Sequence, residues 1–186
     1  MTFEDRIHES RFTTKQASEA TGVNWETMRG WIKRKIILSE EEDDTREVKS
    51  QGSPYMLSFT RVMQIAITAH FVSLGVPAAQ AGTIALSFTD MGRGTGGWVG
   101  DEASWDYSKV RSPGHLYKDG YTFLAAYAGE QFGYVFKGEG MNDPQFFKKL
   151  FFPSGVQTKR HHVVGVLWLD PLFRELKHRL GAGDEV

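Results

Sequence analysis

The stretch from Phe12 to Trp31, FTTKQASEATGVNWETMRGW, constrains the fold more tightly than any other part of the chain. Thr13 is placed to cap a first helix, with Gln16 three residues on to complete a capping box. That helix is predicted to run to about Ala20. Gly22 stops it, because glycine reaches positive φ without the steric cost of a Cβ. Asn24 then offers a side-chain oxygen to cap a second helix over 25–35. On that helix Met28, Trp31 and Ile32 recur at helical spacing and are expected to face the core. Glu26, Thr27, Gly30, Lys33 and Arg34 are left for the other face. The whole has the sequence shape of a helix-turn-helix.

The segment after it predicts a hairpin. Ile36-Ile37-Leu38 is apolar and β-branched and suits a short strand, a polar loop follows over 39–53, and Tyr55-Met56-Leu57 suits a return strand. Such a hairpin with an extended tip is a wing, and the tip composition EEEDDTREVKSQGSP favours mobility over packing. Ser58 is placed to cap a third helix, about 59–74, with Val62, Ile65, Ala66, Ala69 and Phe71 or Val72 as its apolar stripe. Gly75 stops that helix. Pro77 fits the first turn of a fourth, about 77–89, where its missing N–H has no partner to lose. Val76, Ala79, Ile84 and Leu86 are expected to pack back onto the third helix.

Met91 to Gly100, MGRGTGGWVG, is a glycine-rich break and reads as a linker. It lacks a preceding strand and the G-K-[ST] ending of a phosphate-binding loop. Beyond it, Tyr121–Ala128 and Phe132–Lys137 read as strands of a hairpin turning at Gly129-Glu130-Gln131. Phe146–Phe152 suits either helix or strand. Val163–Leu169 is the strongest strand candidate, and Asp170 is placed to cap a last helix with Pro171 at its first position, running to Leu180 and closed by Gly181. The expected fold class is α+β: a winged helix-turn-helix with a helical extension over residues 1–90, a linker over 91–100, and a small α+β domain over 101–186.

Composition narrows the function. The 186 residues include no cysteine, which excludes disulfides and thiolate chemistry and makes a reducing cytoplasm the expected location. No apolar run reaches the ~18 residues of a membrane span, and the polar start MTFEDRIHES is unlike a signal peptide. The net charge of −1 argues against bulk electrostatic attraction to nucleic acid, yet charge is segregated. Four cations and no acid lie between Arg29 and Lys35, and five acids run from Glu40 to Asp44. Adjacent histidines in Lys159-Arg160-His161-His162 would point to opposite faces of a strand, so an exposed basic turn is expected there and no metal site. Trp98, Trp105, Tyr107, Tyr117 and Tyr121 leave core, ligand pocket and dimer interface all open. No nucleophile–base pair, paired carboxylates or nucleotide signature stands out, so neither catalysis nor a cofactor is expected.

The paired helices give the basic segment a meaning. A single helix fits the major groove of B-DNA, and a second helix braces it against the backbone. The N-terminal part of the second helix meets base edges, and here it holds Asn24, Trp25, Glu26 and Thr27. Arg29 offers a forked guanidinium to guanine or phosphate. Thr13 and Thr14 can donate to a phosphate beside the positive end of the first helix dipole. Lys33, Arg34 and Lys35 suit backbone contacts. Glu40–Asp44 reads as a solvated loop, or more sharply as a surface for a basic partner.

Together these motifs resemble the MerR-type winged-helix family. Thr27-Met28-Arg29-Gly30-Trp31 is similar to the family's T-L-R-Y-W signature, Thr13 to its lead-in threonine, Thr21-Gly22-Val23-Asn24 to its TGVS turn, and Leu74-Gly75-Val76-Pro77 to its LG-(F/V)-S bend. The resemblance covers about residues 11–88. It implies a bacterial regulator that binds double-stranded DNA as a homodimer on a pseudo-palindromic site. The family ends its wing with G-Y-R-x-Y, where this chain has Ser53-Pro54-Tyr55-Met56-Leu57, so Tyr55 is the residue left to approach the backbone. The family dimerises through a long C-terminal helix, and no heptad-rich stretch follows residue 90. The expected function is therefore a cytoplasmic, sequence-specific transcriptional regulator. The alternative is a phage or mobile-element DNA-architectural factor, excisionase-like or a packaging subunit. A third class is a protein-interaction module that meets a partner through the acidic wing or the C-terminal domain.

Overall fold

A computed structural model describes residues 2–37, 45–46, 56–92, 111–139, 142, 146–151 and 164–182. After a 3-10 turn at Glu4–Arg6 come β1 (Phe12–Thr13), α1 (Thr14–Thr21), α2 (Trp25–Lys33), β2 (Thr45–Arg46), β3 (Met56–Leu57), α3 (Phe59–Ser73) and α4 (Ala78–Thr89). Then follow β4 (Tyr121–Tyr127), β5 (Tyr134–Gly138), α5 (Phe146–Phe151), β6 (Val164–Trp168) and α6 (Leu169–Arg179). The class is α+β, with two antiparallel sheets ordered β1-β3-β2 and β5-β4-β6. Among the described residues no helix is long and apolar enough to cross a membrane.

The predicted caps form. Thr13 Oγ1 accepts from the Gln16 N–H at 3.2 Å while the Thr13 N–H donates to Gln16 Oε1 at 2.9 Å, a reciprocal capping box. Asn24 Oδ1 accepts from the Glu26 N–H at 2.7 Å, and Ser58 Oγ from the Arg61 N–H at 3.2 Å. Gly22, at φ +70°, sends its N–H back to the Ser18 carbonyl.

Several sequence expectations shift. The second helix ends at Lys33, not 35, because Lys35 takes a left-handed conformation at φ +55°. The Lys35 and Ile36 N–H groups return to the Ile32 and Trp31 carbonyls, a Schellman stop with lysine where glycine is usual. That bond and the burial of Ile37 take Ile36 and Ile37 into the core rather than into a strand. Leu38 lies outside the described residues. The strand that pairs with β3 on that side is Thr45–Arg46, within the segment expected to be loop, while Phe12–Thr13 pairs on the other side. Pro77 is the residue before α4 rather than its first, and the buried face of α4 is Ala81, Ile84, Ala85 and Phe88, with Ala79 exposed. Asp170 does not cap α6, which begins at Leu169. Its carboxylate instead accepts from the Thr122 N–H at 2.7 Å and Trp168 Nε1–H at 2.9 Å, tying β4, β6 and α6 together. The ambiguous 146–152 run is helical over Phe146–Phe151.

The main apolar cluster draws on both halves of the chain. Ala17, Met28, Trp31, Ile65, Phe71, Ile84 and Phe88 belong to it together with Leu124, Val135, Leu172 and Phe173. α3 runs through this cluster, and its residues 59–68 are buried on every side, as a helix enclosed by other elements must be. The N-terminal segment, for all its polar start, contributes Ile7 and Phe12 to the same cluster. Phe3 packs edge-on against Phe59 at 4.9 Å, and Phe59 in turn against Phe173 at 4.8 Å. A second, smaller cluster lies on the other face of the β5-β4-β6 sheet, where Phe123, Phe136 and Tyr127 meet Phe146 and Leu150 of α5. There the Tyr127 hydroxyl donates to the Leu150 carbonyl at 2.6 Å, and burial, aided by Tyr134, pushes its pKa up to about 12.

Two arginines gather where the start of α3 meets the C-terminus of α4. Arg61, 1% exposed, forks onto Asp90 at 2.6 and 2.8 Å and onto Gln64 Oε1 at 3.0 Å. Burial raises the Asp90 carboxyl, but hydrogen bonds from Arg61 and Thr89 and the guanidinium charge outweigh it and hold the group below its ordinary value. Arg111 acts at the same end of α4. Its guanidinium donates to the carbonyls of Ser87, Phe88 and Met91 at the C-terminus of α4, and to those of Ser112 and His115, while lying over the Phe88 ring. A positive charge against those carbonyls opposes the negative end of the helix dipole.

Candidate nucleic-acid interface

α1 and α2 are held as a pair from beneath. Ala17, Ala20 and Val23 from α1 and the turn meet Met28 and Trp31 of α2 in the core. Ser18 Oγ donates to the Val23 carbonyl at 2.7 Å, and Thr21 Oγ1 accepts from the Val23 N–H at 3.3 Å, so side chains of α1 fix the turn itself. The opposite surface of α2 is open. Trp25 is 44% exposed, and Glu26, Thr27, Arg29, Lys33, Arg34 and Lys35 are exposed as well. Trp25, Arg29 and Lys33 are spaced four residues apart and share one side of the helix. Gly30 lies between Glu26 and Arg34 with only Arg34 Nη2 near it, 3.7 Å from where a Cβ would stand.

The remaining sequence candidates divide. Asn24 is exposed, but its Oδ1 is committed to the cap. Thr13 is partly exposed, and its hydroxyl sits in the capping box against Gln16. Thr14 is 5% exposed and its side chain lies inside the fold, away from any surface partner. Arg34 folds back so that Nε donates to the Gly30 carbonyl at 3.1 Å. Tyr55 and Glu40–Asp44 lie outside the described residues, as do Trp98, Trp105, Tyr107 and Lys159–His162. Of the remaining aromatics, Tyr117 is buried in the core and Tyr121 is 39% exposed. Among the described residues no group of His, Asp or Glu could hold a metal ion.

Sequence reasoning missed what positions this helix pair from outside. The Ile36 carbonyl, just past α2, accepts from Gln64 Nε2 at 3.4 Å, and its oxygen lies 2.5 Å from where a Cβ on Gly82 would stand. α3 and α4 thus grip the end of α2, and Gly82 permits the close approach. At the other side, Arg179 of α6 donates to the Ala20 carbonyl at 3.0 Å, near the C-terminus of α1, while Glu175 pairs with it at 2.6 Å. No local sequence signal marks these contacts, since each joins residues far apart in the chain. No family model matches the chain, and a search of curated proteins returns no match.

Proposed function

We propose that the chain is a winged-helix DNA-binding protein of MerR type that regulates transcription in the bacterial cytoplasm, with α2 as its recognition helix. The observation that carries the reading is the two-sided character of α2. Met28 and Trp31 are buried, while Trp25, Glu26, Thr27, Arg29 and Lys33 face outward from a helix fixed rigidly to its partner. A groove-reading helix needs an apolar face to hold it and a polar, cationic face for the duplex. In this reading Trp25, Glu26 and Thr27 meet base edges, Arg29 takes a guanine or a phosphate, and Lys33, Arg34 and Lys35 contact the backbone. β2 and β3 form the base of the wing. Asn24 and Thr13 act by holding helix starts, and Thr14 as core. No catalytic role or cofactor is assigned.

The test is duplex binding by fluorescence anisotropy across a salt series, for the wild type and Arg29→Ala. Salt-sensitive binding, weakened by about 1–3 kcal/mol in Arg29→Ala, is the expected result. Protein that ignores DNA at low salt, or an Arg29→Ala variant that binds as the wild type does, overturns the reading.

A further inference from the structure

We infer that the free edge of β6 pairs with β6 of a second copy of this chain, making one continuous antiparallel sheet across a two-fold axis. β6 is an outer strand of the β5-β4-β6 sheet, and among the described residues no strand pairs with its other side. The two edges of this sheet are built differently. At the β5 edge, α4 closes over the start of the strand, where the Gly133 N–H donates to Ser87 Oγ at 3.0 Å, and the strand carries Lys137. β6 is VGVLW, with no charge and no proline, and Val166 at its centre is 36% exposed. Proteins that keep a sheet edge solitary blunt it with lysine, proline or a covering element. β6 has none of the first two.

The apolar surface continues past the strand. Leu74, at the end of α3, is 67% exposed, and its Cδ1 would lie 3.8 Å from a Cβ on Gly165. Leu74 borders β6 on its Gly165 and Leu167 face, and Val166 is exposed on the opposite face.

The strand fits a copy of itself. An antiparallel pair centred on Val166 sets Val166 against Val166, Val164 against Trp168, and Gly165 against Leu167. The pairing of β6 with β4 puts Leu167 and Gly165 on one face and Val164, Val166 and Trp168 on the other. Gly165 therefore leaves room where the partner copy brings its Leu167, with Leu74 beside that space. An uncharged strand also offers nothing to attract a charged peptide. A two-fold contact of this kind is self-complementary and closed. The choice of a second copy also rests on the proposed function, since a palindromic site calls for a two-fold dimer.

The test uses no DNA, so its outcome is separate from that of the regulatory reading. Sedimentation velocity at micromolar concentration is expected to give a dimer for the wild type and a monomer for Val166→Lys, with circular dichroism showing both folded. Because the chain has no cysteine, Val166→Cys adds a single thiol. Directly opposed residues in an antiparallel pair lie about 4.5–5.5 Å apart at Cα, within disulfide range. Mild oxidation is expected to convert Val166→Cys to a covalent dimer far faster than Lys118→Cys, an exposed loop control. A monomeric wild type, a dimer that survives Val166→Lys, or equal cross-linking of the two cysteine variants overturns the inference.

Discussion

Breaking the Arg61–Asp90 pair from either side should cost different amounts, and the difference follows from where each charge sits. Asp90→Asn strands a guanidinium that is 1% exposed. Gln64 Oε1 still accepts from it. Removing one partner of a buried ion pair costs about 3–5 kcal/mol, and the depth of Arg61 sets this loss above that of the reverse change. Arg61→Met strands a carboxylate that is 28% exposed, and Thr89 Oγ1 still donates to it at 2.5 Å. Water reaches that charge, so the loss should fall near the lower end, about 3 kcal/mol. The double variant Arg61→Met/Asp90→Asn removes both charges and should recover most of the loss, because a buried pair replaced as a pair is often close to neutral. Urea unfolding followed by circular dichroism and tryptophan fluorescence measures all four corners of the cycle. Single variants within about 1 kcal/mol of wild type, or a double variant equal to the sum of the singles, would refute the reasoning.

Acid should act on the same pair. The folded Asp90 carboxyl titrates below its ordinary value of 3.8, so its contribution is full above that pH and is lost as pH falls from there through the lower folded value. Asp90→Asn should therefore flatten the acid limb of stability below about pH 4, checked by thermal melts over that range. Gly30→Ala meets no steric obstacle and should stabilise α2 by about 1 kcal/mol in urea unfolding, while adding a methyl to the proposed DNA face and weakening duplex binding. Lys35→Gly relieves the left-handed lysine and should raise stability by roughly 0.5–1 kcal/mol, while the slope of log affinity against log salt falls by about 1. Arg111→Met withdraws the guanidinium from the carbonyls of Ser87, Phe88, Met91, Ser112 and His115 and should cost roughly 3 kcal/mol by the same unfolding assay.

The helix pair was legible because its signals are local. Thr13 with Gln16, Gly22, and Asn24 each act within four residues, and each does what its chemistry predicts. The same holds for Ser58 and for the β4–β5 hairpin. The errors have one physical source, competition from distant partners. Ile36 and Ile37 carry a strand pattern, but the Schellman bond to Trp31 and the close approach to Gly82 claim that segment for the core. Asp170 suits a cap, yet the Thr122 N–H and the Trp168 indole take its carboxylate. Phe3 and Ile7 look scattered in a polar N-terminal stretch, and only the position of Phe59 shows why they are there. At the candidate interface, the face of α2 followed from periodicity. The burial of Thr14 did not, because it depends on what packs over the start of α1.

The central claim is that α2 reads DNA, and selection of bound duplexes from a random pool tests it most directly. The expected result is one enriched sequence with inverted half-sites separated by about one helical turn or a multiple of it, and loss of preference at one position in each half when Arg29 becomes alanine. Enrichment of no sequence, or a preference that Arg29→Ala leaves unchanged, would contradict it.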